Sequence, residues 1–390
     1  MFSNGLRDPT GDHGDDRPWI IIQWGGGRWT VEVEAYVEED VSEARPLEDV
    51  HCRFILAQYG LAEDLVPLRS VATTAPDKLE RLAATLRQLG GADRLRRLFG
   101  HLGTIGLSVD AYLGGGGWGD VFLVRSAKQA RPTALKILRP PYDEEWRQRF
   151  AREAECLQKL SASHSRVARL VQGITECCDF LYIQTEFVSG TPMTELTLPV
   201  SGLRVIDIAK QILQALKTVH DQGVIHRDLH LGNVMATDDG AVLLDFGLAR
   251  DEAGAEYYAT FRPVGAMTHC APEKWLQPSK AGAASDIYSV GVMLYKLATG
   301  QVPFFADTYI GLYEQIKAGN YRQPSFAHAG TSAKGLERRW DLVELVVREL
   351  LQPLPANRPA DATAALELLA AIEPAMRLLE KQKTLRRGAA

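Results

Sequence analysis

Alternation of apolar and polar residues marks the beginning of the chain. Residues 19–24 are mostly apolar, and residues 28–37 alternate between polar and apolar side chains with a period of two. That period is typical of a half-buried strand, and the three glycines at 25–27 suit a tight connection. The pattern therefore predicts a β-hairpin. Residues 1–17, rich in glycine, aspartate and proline, are predicted to be disordered.

The spacing changes to that of helices between residues 74 and 102. Leucines recur at intervals of three, four and three residues, and Gly90 and Gly91 follow the last of them. This spacing places the leucines on one helix face, and the glycines are typical of a helix end. A second short helix is predicted over residues 93–102. We therefore assign residues 18–105 to a small α+β accessory domain, whose family the sequence does not identify.

A glycine-rich segment with strand-like flanks follows. Residues 107–113 and 121–124 favour strands, whereas a dinucleotide-binding turn needs a helix after its glycines. A glycine-rich hairpin can instead bring backbone N–H groups close to phosphate oxygens, because no Cβ intervenes. The segment has the spacing G-x-G-x-x-G-x-V, formed by Gly114, Gly116, Gly119 and Val121.

A lysine within an apolar strand is the next candidate. Lys136 lies in the run 133–138, where the desolvation of its ammonium must be offset by a partner. An amphipathic helix is predicted over residues 149–160 and carries Glu153 and Glu155. Glu155, which points about 200° away from Glu153 around the helix, is the alternative partner for the lysine. We expect Glu153 to form the ion pair with Lys136.

Three oxygen-bearing side chains follow in the second half of the chain. Asp228 lies in a His-Arg-Asp turn, Asn233 follows five residues later, and Asp245 follows twelve residues after that. Carboxylate and amide oxygens are ligands that Mg²⁺ accepts, and a carboxylate can serve as a general base. A polar loop between two buried elements is the alternative interpretation of the His-Arg-Asp turn taken alone.

The motifs together resemble those of the eukaryotic-type (Hanks-type) protein kinases. The chain has H-R-D-x-x-x-x-N, D-F-G, the glycine-rich loop and the lysine strand in that family's pattern, followed by A-P-E at 271–273 and D-x-Y-S-x-G from Asp286. The resemblance covers about residues 107–375. It implies an α+β fold of two lobes with ATP between them: a β-rich lobe at 106–188 and a helical lobe at 189–376. A basic tail is expected at 377–390.

The resemblance also implies roles for individual residues. Asp228 would be the catalytic base, Lys136 and Glu153 would position the phosphates, and Asn233 and Asp245 would bind Mg²⁺, or Mn²⁺ in its place. His230 stands where Ser/Thr-specific members usually carry lysine, and it could donate to the γ-phosphate. Asp286 would brace the catalytic loop, and Arg358 would pair with Glu273. The expected ATP-binding residues are Gly114, Gly116, Gly119, Val121, Ala134, Lys136, Thr185, Glu186, Val188 and Met235.

The expected activity is transfer of the γ-phosphate of ATP to serine or threonine hydroxyls of a protein, with autophosphorylation. His230 and Ala266 both depart from the Ser/Thr-specific pattern, so a tyrosine acceptor stays open. Hydroxyls within the segment before A-P-E could receive phosphate. The alternative is a pseudokinase: a nucleotide-binding scaffold whose N-terminal domain binds a partner.

Net charge, the length of apolar runs and the cysteines indicate which kinds of partner and compartment to expect. A net charge of −5 argues against a general nucleic-acid binder. No apolar run approaches the ~20 residues of a membrane-spanning helix, so no membrane span is expected. Five cysteines show no metal-ligand spacing and read as reduced thiols of a cytoplasmic protein. The expected partners are a protein substrate and a regulatory protein acting through residues 1–105.

Overall fold

The computed structural model describes residues 19–25, 28–34, 85, 88–89, 93–115, 119–161, 166–200, 202–251, 268–276, 278–323 and 333–387. The predicted disordered segment at 1–17 and most of the leucine-spaced helix lie outside these ranges. So do Gly116 and Ala266, and three hydroxyl-bearing residues of the segment before A-P-E: Tyr257, Tyr258 and Thr260. Thr85 and Leu89, from the leucine-spaced segment, are helical.

The predicted β-hairpin is confirmed. Strands β1 (Trp19–Gly25) and β2 (Arg28–Glu34) pair antiparallel, with Trp19 opposite Glu34 and Trp24 opposite Trp29.

A five-stranded antiparallel sheet forms the small lobe. Its strand order is β3-β4-β5-β7-β6, so only β6 is displaced from its place along the chain. The apolar and β-branched residues of these strands alternate between the two faces, as the period-two pattern requires. The strands are β3 (Leu107–Gly115), β4 (Gly119–Ser126), β5 (Gln129–Leu138), β6 (Leu170–Cys177) and β7 (Phe180–Glu186).

Helix α1 (Asp93–Thr104) covers one face of this sheet. Its leucines Leu95, Leu98 and Leu102 are at most 1% exposed and belong to one apolar cluster with residues of β3, β4, β5 and β7. Phe99 meets Phe122 of β4 edge to face, with ring centroids 5.1 Å apart. The helix that the sequence pattern assigned to an accessory domain therefore shares its core with the small lobe.

Helix α2 (Glu144–Leu160) joins the larger apolar cluster of the molecule. Asp143 caps its N-terminus, accepting a hydrogen bond from the Trp146 N–H at 2.9 Å. Phe150 and Leu157 are buried in that cluster, which also holds Leu138 and Ile183 of the sheet. This packing fixes Glu153 of the same helix beside the strand that carries Lys136.

The large lobe is helical. One of its helices, Ala283–Thr299, is apolar on nearly all sides, which is the pattern of a helix buried within a core. None of the described helices is both long and apolar enough to cross a bilayer. The helices are α3 (Gly202–Asp221), α4 (Pro272–Leu276), α5 (Ala283–Thr299), α6 (Tyr309–Ala318), α7 (Ala333–Leu350) and α8 (Ala362–Arg387).

Helix α8 is longer than the sequence pattern predicts. Apolar spacing predicts a helix over residues 361–380, yet α8 continues to Arg387 and includes most of the basic tail expected at 377–390. Its last residues are mainly good helix formers, and the first glycine after them is Gly388.

Short strands connect the helices around the loop that holds Asp228. A three-stranded antiparallel sheet has the order β11-β10-β8, and β9 pairs with β12. The loop between β9 and β10 contains Asp228, and the loop between β11 and β12 contains Asp245. These strands are β8 (Thr191–Pro192), β9 (Val224–Ile225), β10 (Val234–Thr237), β11 (Gly240–Leu243) and β12 (Arg250–Asp251).

The predicted Arg358–Glu273 pair is confirmed. Two guanidinium nitrogens donate to the two carboxylate oxygens of Glu273, each at 2.8 Å. Arg358 also donates to the carbonyls of Gln352, Pro353 and Ala284. This pair ties the segment after residue 350 to the start of α4.

Replacing Glu273 with glutamine is expected to lower the free energy of unfolding by about 3 kcal/mol, because a buried guanidinium then lacks its counter-charge. Burial raises the pKa of Glu273, but the effect of Arg358 is larger, so the pKa in the folded protein is lower than in the unfolded chain. The pair therefore stabilises the fold at pH values above the pKa of Glu273 in the unfolded chain. This stabilisation is lost as the pH falls through the pKa of Glu273 in the folded protein. Urea unfolding at pH 7 tests the loss, with Glu176→Gln in an exposed pair as control. An unfolding free energy equal to that of wild type would contradict the expectation.

Candidate active site

An ammonium between two carboxylates forms the centre of the site. The Lys136 Nζ donates to Glu153 Oε1 at 2.6 Å, which confirms the predicted pair, and to Asp245 Oδ1 at 2.8 Å. Strand β5, helix α2 and the loop after β11 each contribute one of these residues. The arrangement joins the small lobe to the large lobe through three ionisable side chains.

The charges explain how this cluster tolerates burial. Burial alone would lower the pKa of Lys136, but Asp245 and Glu153 outweigh it and raise the pKa. Burial would raise the pKa of Asp245, but Lys136 holds it well below the usual range. Burial raises the pKa of Glu153, and Lys136 opposes that rise. Lys136 and Asp245 are therefore both charged at neutral pH.

Asp286 braces the loop that contains Asp228, as the sequence predicts. Its two carboxylate oxygens accept from the backbone N–H groups of His226 and Arg227, each at 2.8 Å. His220 lies 3.1 Å from the same carboxylate. Burial opposes ionisation, but the His220 contact lowers the pKa of Asp286 below its ordinary value. The brace holds Arg227 at a φ of +68°, in the left-handed region that non-glycine residues rarely adopt.

Backbone and side-chain contacts link Asp228 to Asp245. The Asn233 Nδ2 donates to the Asp228 carbonyl at 2.9 Å, and the Leu244 N–H donates to the Asn233 carbonyl at 2.9 Å. His226 contacts the Leu244 carbonyl and packs on Phe246, with ring centroids 4.7 Å apart. The structure thus brings the two loops together although the sequence separates their carboxylates.

His230 has a partner that the sequence did not indicate. Its Nδ1 accepts from the Gly232 N–H at 3.1 Å, and its ring lies 6.2 Å from that of His269, centroid to centroid. Burial, followed by the charges of His230 and Lys296, lowers the pKa of His269 to about 3. His269 precedes the A-P-E motif by two residues. That fixed spacing is the sequence signal from which its position beside His230 could have been predicted.

Strand register brings the predicted nucleotide-binding residues together in two rows. Val121 lies opposite Lys136, which lies opposite Ile183 on the next strand. Ala134 lies opposite Thr185 in the adjoining row. These residues share one sheet face, because the intervening Phe122 and Leu135 are buried in the cluster beneath α1.

The glycines at the loop ends have separate structural reasons. Gly114 has a φ of +147°, which suits glycine. A Cβ on Gly119 would lie 2.2 Å from the Ile137 carbonyl oxygen, so no larger residue fits there without movement. Gly116 lies outside the described residues.

Three further residues are predicted to bind the nucleotide: Glu186 and Val188, in the segment that connects the two lobes, and Met235, on the three-stranded sheet of the large lobe. Glu186 ends β7, and its N–H donates to the Arg169 carbonyl at 2.8 Å. Val188 follows in the half-buried connection to β8, and Met235 lies half-buried on β10.

Residues 107–369 match the family of the protein kinase domain. This match spans the sheet, the lysine cluster and both carboxylate loops. The chain belongs to the protein kinase family. The kinase fold of two lobes predicted from the motifs is thereby confirmed.

Curated relatives of this kinase include bacterial proteins. Serine/threonine-protein kinase PknL of Mycobacterium tuberculosis is 32% identical over 287 residues, which cover 66% of this chain and 71% of the relative. Serine/threonine-protein kinase pkn3 of Myxococcus xanthus is 31% identical over 292 residues, or 70% of this chain and 51% of the relative. Both similarities concern the part of the chain that carries the site.

Proposed function

We propose that this kinase transfers the γ-phosphate of ATP to serine and threonine hydroxyls of proteins, with autophosphorylation among its reactions. The observation that carries the proposal is the Lys136 ammonium held by Glu153 and Asp245 in a chain of the protein kinase family. The names of the similar bacterial proteins support the serine and threonine acceptors.

ATP is expected to bind against the sheet face that carries Lys136. The apolar side chains of Val121, Ala134 and Met235 would enclose the base, and Thr185 would lie behind it. The N–H of Glu186 is already engaged by Arg169, so from that residue only the carbonyl could serve the base. The N–H of Val188 would supply the complementary donor. Gly114, Gly116 and Gly119 would bring backbone N–H groups to the phosphates.

The donor set of Asn233 and Asp245 fits a hard divalent cation. The Asn233 Nδ2 donates to the Asp228 carbonyl, so the Oδ1 of the same amide points away from that carbonyl and can serve as the metal ligand. Asp245 takes hydrogen bonds from Lys136 and Gly247 on Oδ1, and its side chain is 48% exposed. Mg²⁺ or Mn²⁺ bound by these oxygens would neutralise charge on the phosphates.

Asp228 is the base of the proposed reaction. The acceptor hydroxyl oxygen forms a bond to the γ-phosphorus while the bond from that phosphorus to the β–γ bridging oxygen breaks. The hydroxyl proton passes to the Asp228 carboxylate, and ADP leaves. Lys136 holds the phosphates during this step, and Glu153 holds Lys136.

His230 takes the position of the lysine found in Ser/Thr-specific members. Because its Nδ1 accepts from Gly232, the neutral ring carries its proton on Nε2. A neutral His230 can therefore donate to the γ-phosphate without first gaining a proton. This tautomer therefore lets His230 take over the hydrogen bond that the family's lysine donates to the γ-phosphate.

Residues 1–105 are the segment through which a regulatory partner would act. Helix α1 belongs to this segment and packs on the small lobe, so a partner bound there has a direct structural connection to the nucleotide site.

Mass spectrometry of the phosphorylated protein tests the acceptor class. Full-length protein is incubated with ATP and Mg²⁺, alone and with a generic basic protein, and the modified residues are located. We expect phosphoserine and phosphothreonine, with Thr268 unmodified because it is only 5% exposed. Phosphate confined to tyrosine would overturn the acceptor assignment and leave the kinase assignment intact.

A further inference from the structure

A buried carboxylate stands at the end of the glycine-rich loop. Asp120 directly follows Gly119 and is fully buried, on the face of β4 that also carries the buried Phe122 and Val124. Aspartate is almost never fully buried unless it is paired. The partners of Asp120 therefore indicate what holds it there.

Three side chains surround this carboxylate, and with Asp120 they form one polar network of four residues. The Thr85 hydroxyl lies 2.9 Å and 3.1 Å from the two carboxylate oxygens, and the Tyr112 hydroxyl donates to one of them at 2.8 Å. Arg139 donates from Nη1 to the Thr85 hydroxyl at 2.7 Å, and its Nε lies 3.5 Å from the carboxylate. Thr85 thus accepts from the guanidinium and donates to the carboxylate.

The network gathers residues from separate parts of the chain. Tyr112 lies on β3, Asp120 on β4, and Arg139 directly after β5. Thr85 precedes the first residue of the kinase-domain match. Each of the four is at most 7% exposed. The loop-side ends of three strands are therefore joined to a residue outside the matched domain.

The contacts reach both ends of the glycine-rich loop. Gly115 pairs with Asp120 across the hairpin. A Cβ on Gly115 would lie 2.3 Å from the Asp120 carboxylate and 2.5 Å from the Tyr112 hydroxyl. The polar network occupies the space directly over the loop's first end, and Asp120 itself forms part of the other end.

Stability alone is a weak reason for this arrangement. Burial raises the pKa of Asp120, with Arg139, Tyr112 and Thr85 opposing that rise. Buried ionic networks often contribute no more to stability than apolar residues of similar volume. A network that fixes the geometry of a phosphate-binding loop has a reason to be polar, because directed hydrogen bonds specify position.

We propose that Asp120 is a positioning residue for the nucleotide, and that Thr85 holds it, so that chain preceding the kinase-domain match helps to set the affinity for the phosphates of ATP. The inference rests on the proposed function in one respect: the phosphates of ATP lie at the glycine-rich loop. Adenosine, which lacks phosphates, would bind without this contribution.

Nucleotide binding by the full-length chain tests the inference. The dissociation constants of ATP and of adenosine are measured by calorimetry, with Mg²⁺ present, for wild type and Thr85→Val. Removal of the hydroxyl is expected to weaken ATP binding about five- to tenfold and to leave adenosine binding unchanged, because one buried hydrogen-bonded link is lost. Thr104→Val is the matched control, since its hydroxyl donates to the His101 carbonyl at the exposed end of α1.

A second variant gives an independent reading. Asp120→Asn keeps the shape and one acceptor oxygen but removes the charge, and it is expected to weaken ATP binding with adenosine again unaffected. Unchanged ATP binding in both variants would overturn the inference. Equal weakening for ATP and adenosine would also overturn it, because a general loosening of the small lobe would then be the cause. Wild type without affinity for ATP would instead overturn the proposed function itself, and the inference with it.

Discussion

Replacing Asp228 with asparagine is expected to lower the rate of phosphate transfer by about 10³-fold, the range in which a general base contributes. The amide cannot take the hydroxyl proton. The brace from Asp286 binds the backbone of His226 and Arg227, so the loop itself should keep its shape. ATP affinity should stay within about twofold of wild type, because the phosphate contacts come from Lys136 and the glycine-rich loop.

Initial rates with labelled ATP and equilibrium binding of ATP check this pair of expectations. Asp221→Asn is the control: the chemical change is the same, at an exposed residue that pairs with Lys217 in α3. Turnover of Asp228→Asn equal to that of wild type would show that another group takes the proton. If the variant loses both ATP binding and turnover, the aspartate has a structural role in the nucleotide site.

Replacing Lys136 with methionine is expected to lower kcat by about 10²-fold, comparable to the loss of one preorganised charged donor at a transition state. Methionine keeps most of the length of the side chain and removes the ammonium. Glu153 and Asp245 then lose the charge that lies between them at 2.6 Å and 2.8 Å. The pKa of Asp245 should rise, because Lys136 is the principal cause of its depression.

Steady-state kinetics at pH 7 distinguish this expectation from a simple binding defect. A fall in kcat with a smaller change in KM for ATP would agree with a role in phosphate positioning during transfer. Lys128→Met, in the exposed turn between β4 and β5, is the matched control. A Lys136→Met variant with wild-type kcat would remove the lysine from the proposed mechanism.

The contacts that could be predicted from the sequence are those between residues of motifs that recur in a fixed order along the chain. Lys136 with Glu153, Asp286 with the catalytic loop, and Arg358 with Glu273 were each predicted from a motif and its distance along the chain. Helical and strand periodicity then fixed which face each side chain occupies. The second partner of Lys136, Asp245, is 109 residues away and was not predicted as an ion-pair partner.

The contacts that the sequence could not reveal depend on what covers a surface. The leucine spacing of α1 predicts a helix with one apolar face, but it does not say that this face lies on the kinase sheet. Alternation along β4 places Asp120 on the face of Phe122 and Val124, but it does not say which groups hydrogen-bond to a carboxylate there. Only packing brings Thr85, from the preceding segment, into contact with Asp120.

This packing bears on where the kinase unit begins. The family match starts at residue 107, yet α1 supplies apolar residues to the small-lobe core before that point. A truncation at residue 106 would expose Phe122 and its buried neighbours on the sheet. Experiments on catalysis should therefore use the full-length chain.

Incorporation of labelled γ-phosphate into protein is the most direct test of whether this chain is an active protein kinase. Purified full-length chain is incubated with γ-labelled ATP and Mg²⁺, with and without a chelator, and ATP binding is measured in parallel. We expect time-dependent incorporation that requires the cation. Retained ATP binding without any incorporation into the chain or a protein acceptor would contradict it and would favour a nucleotide-binding scaffold.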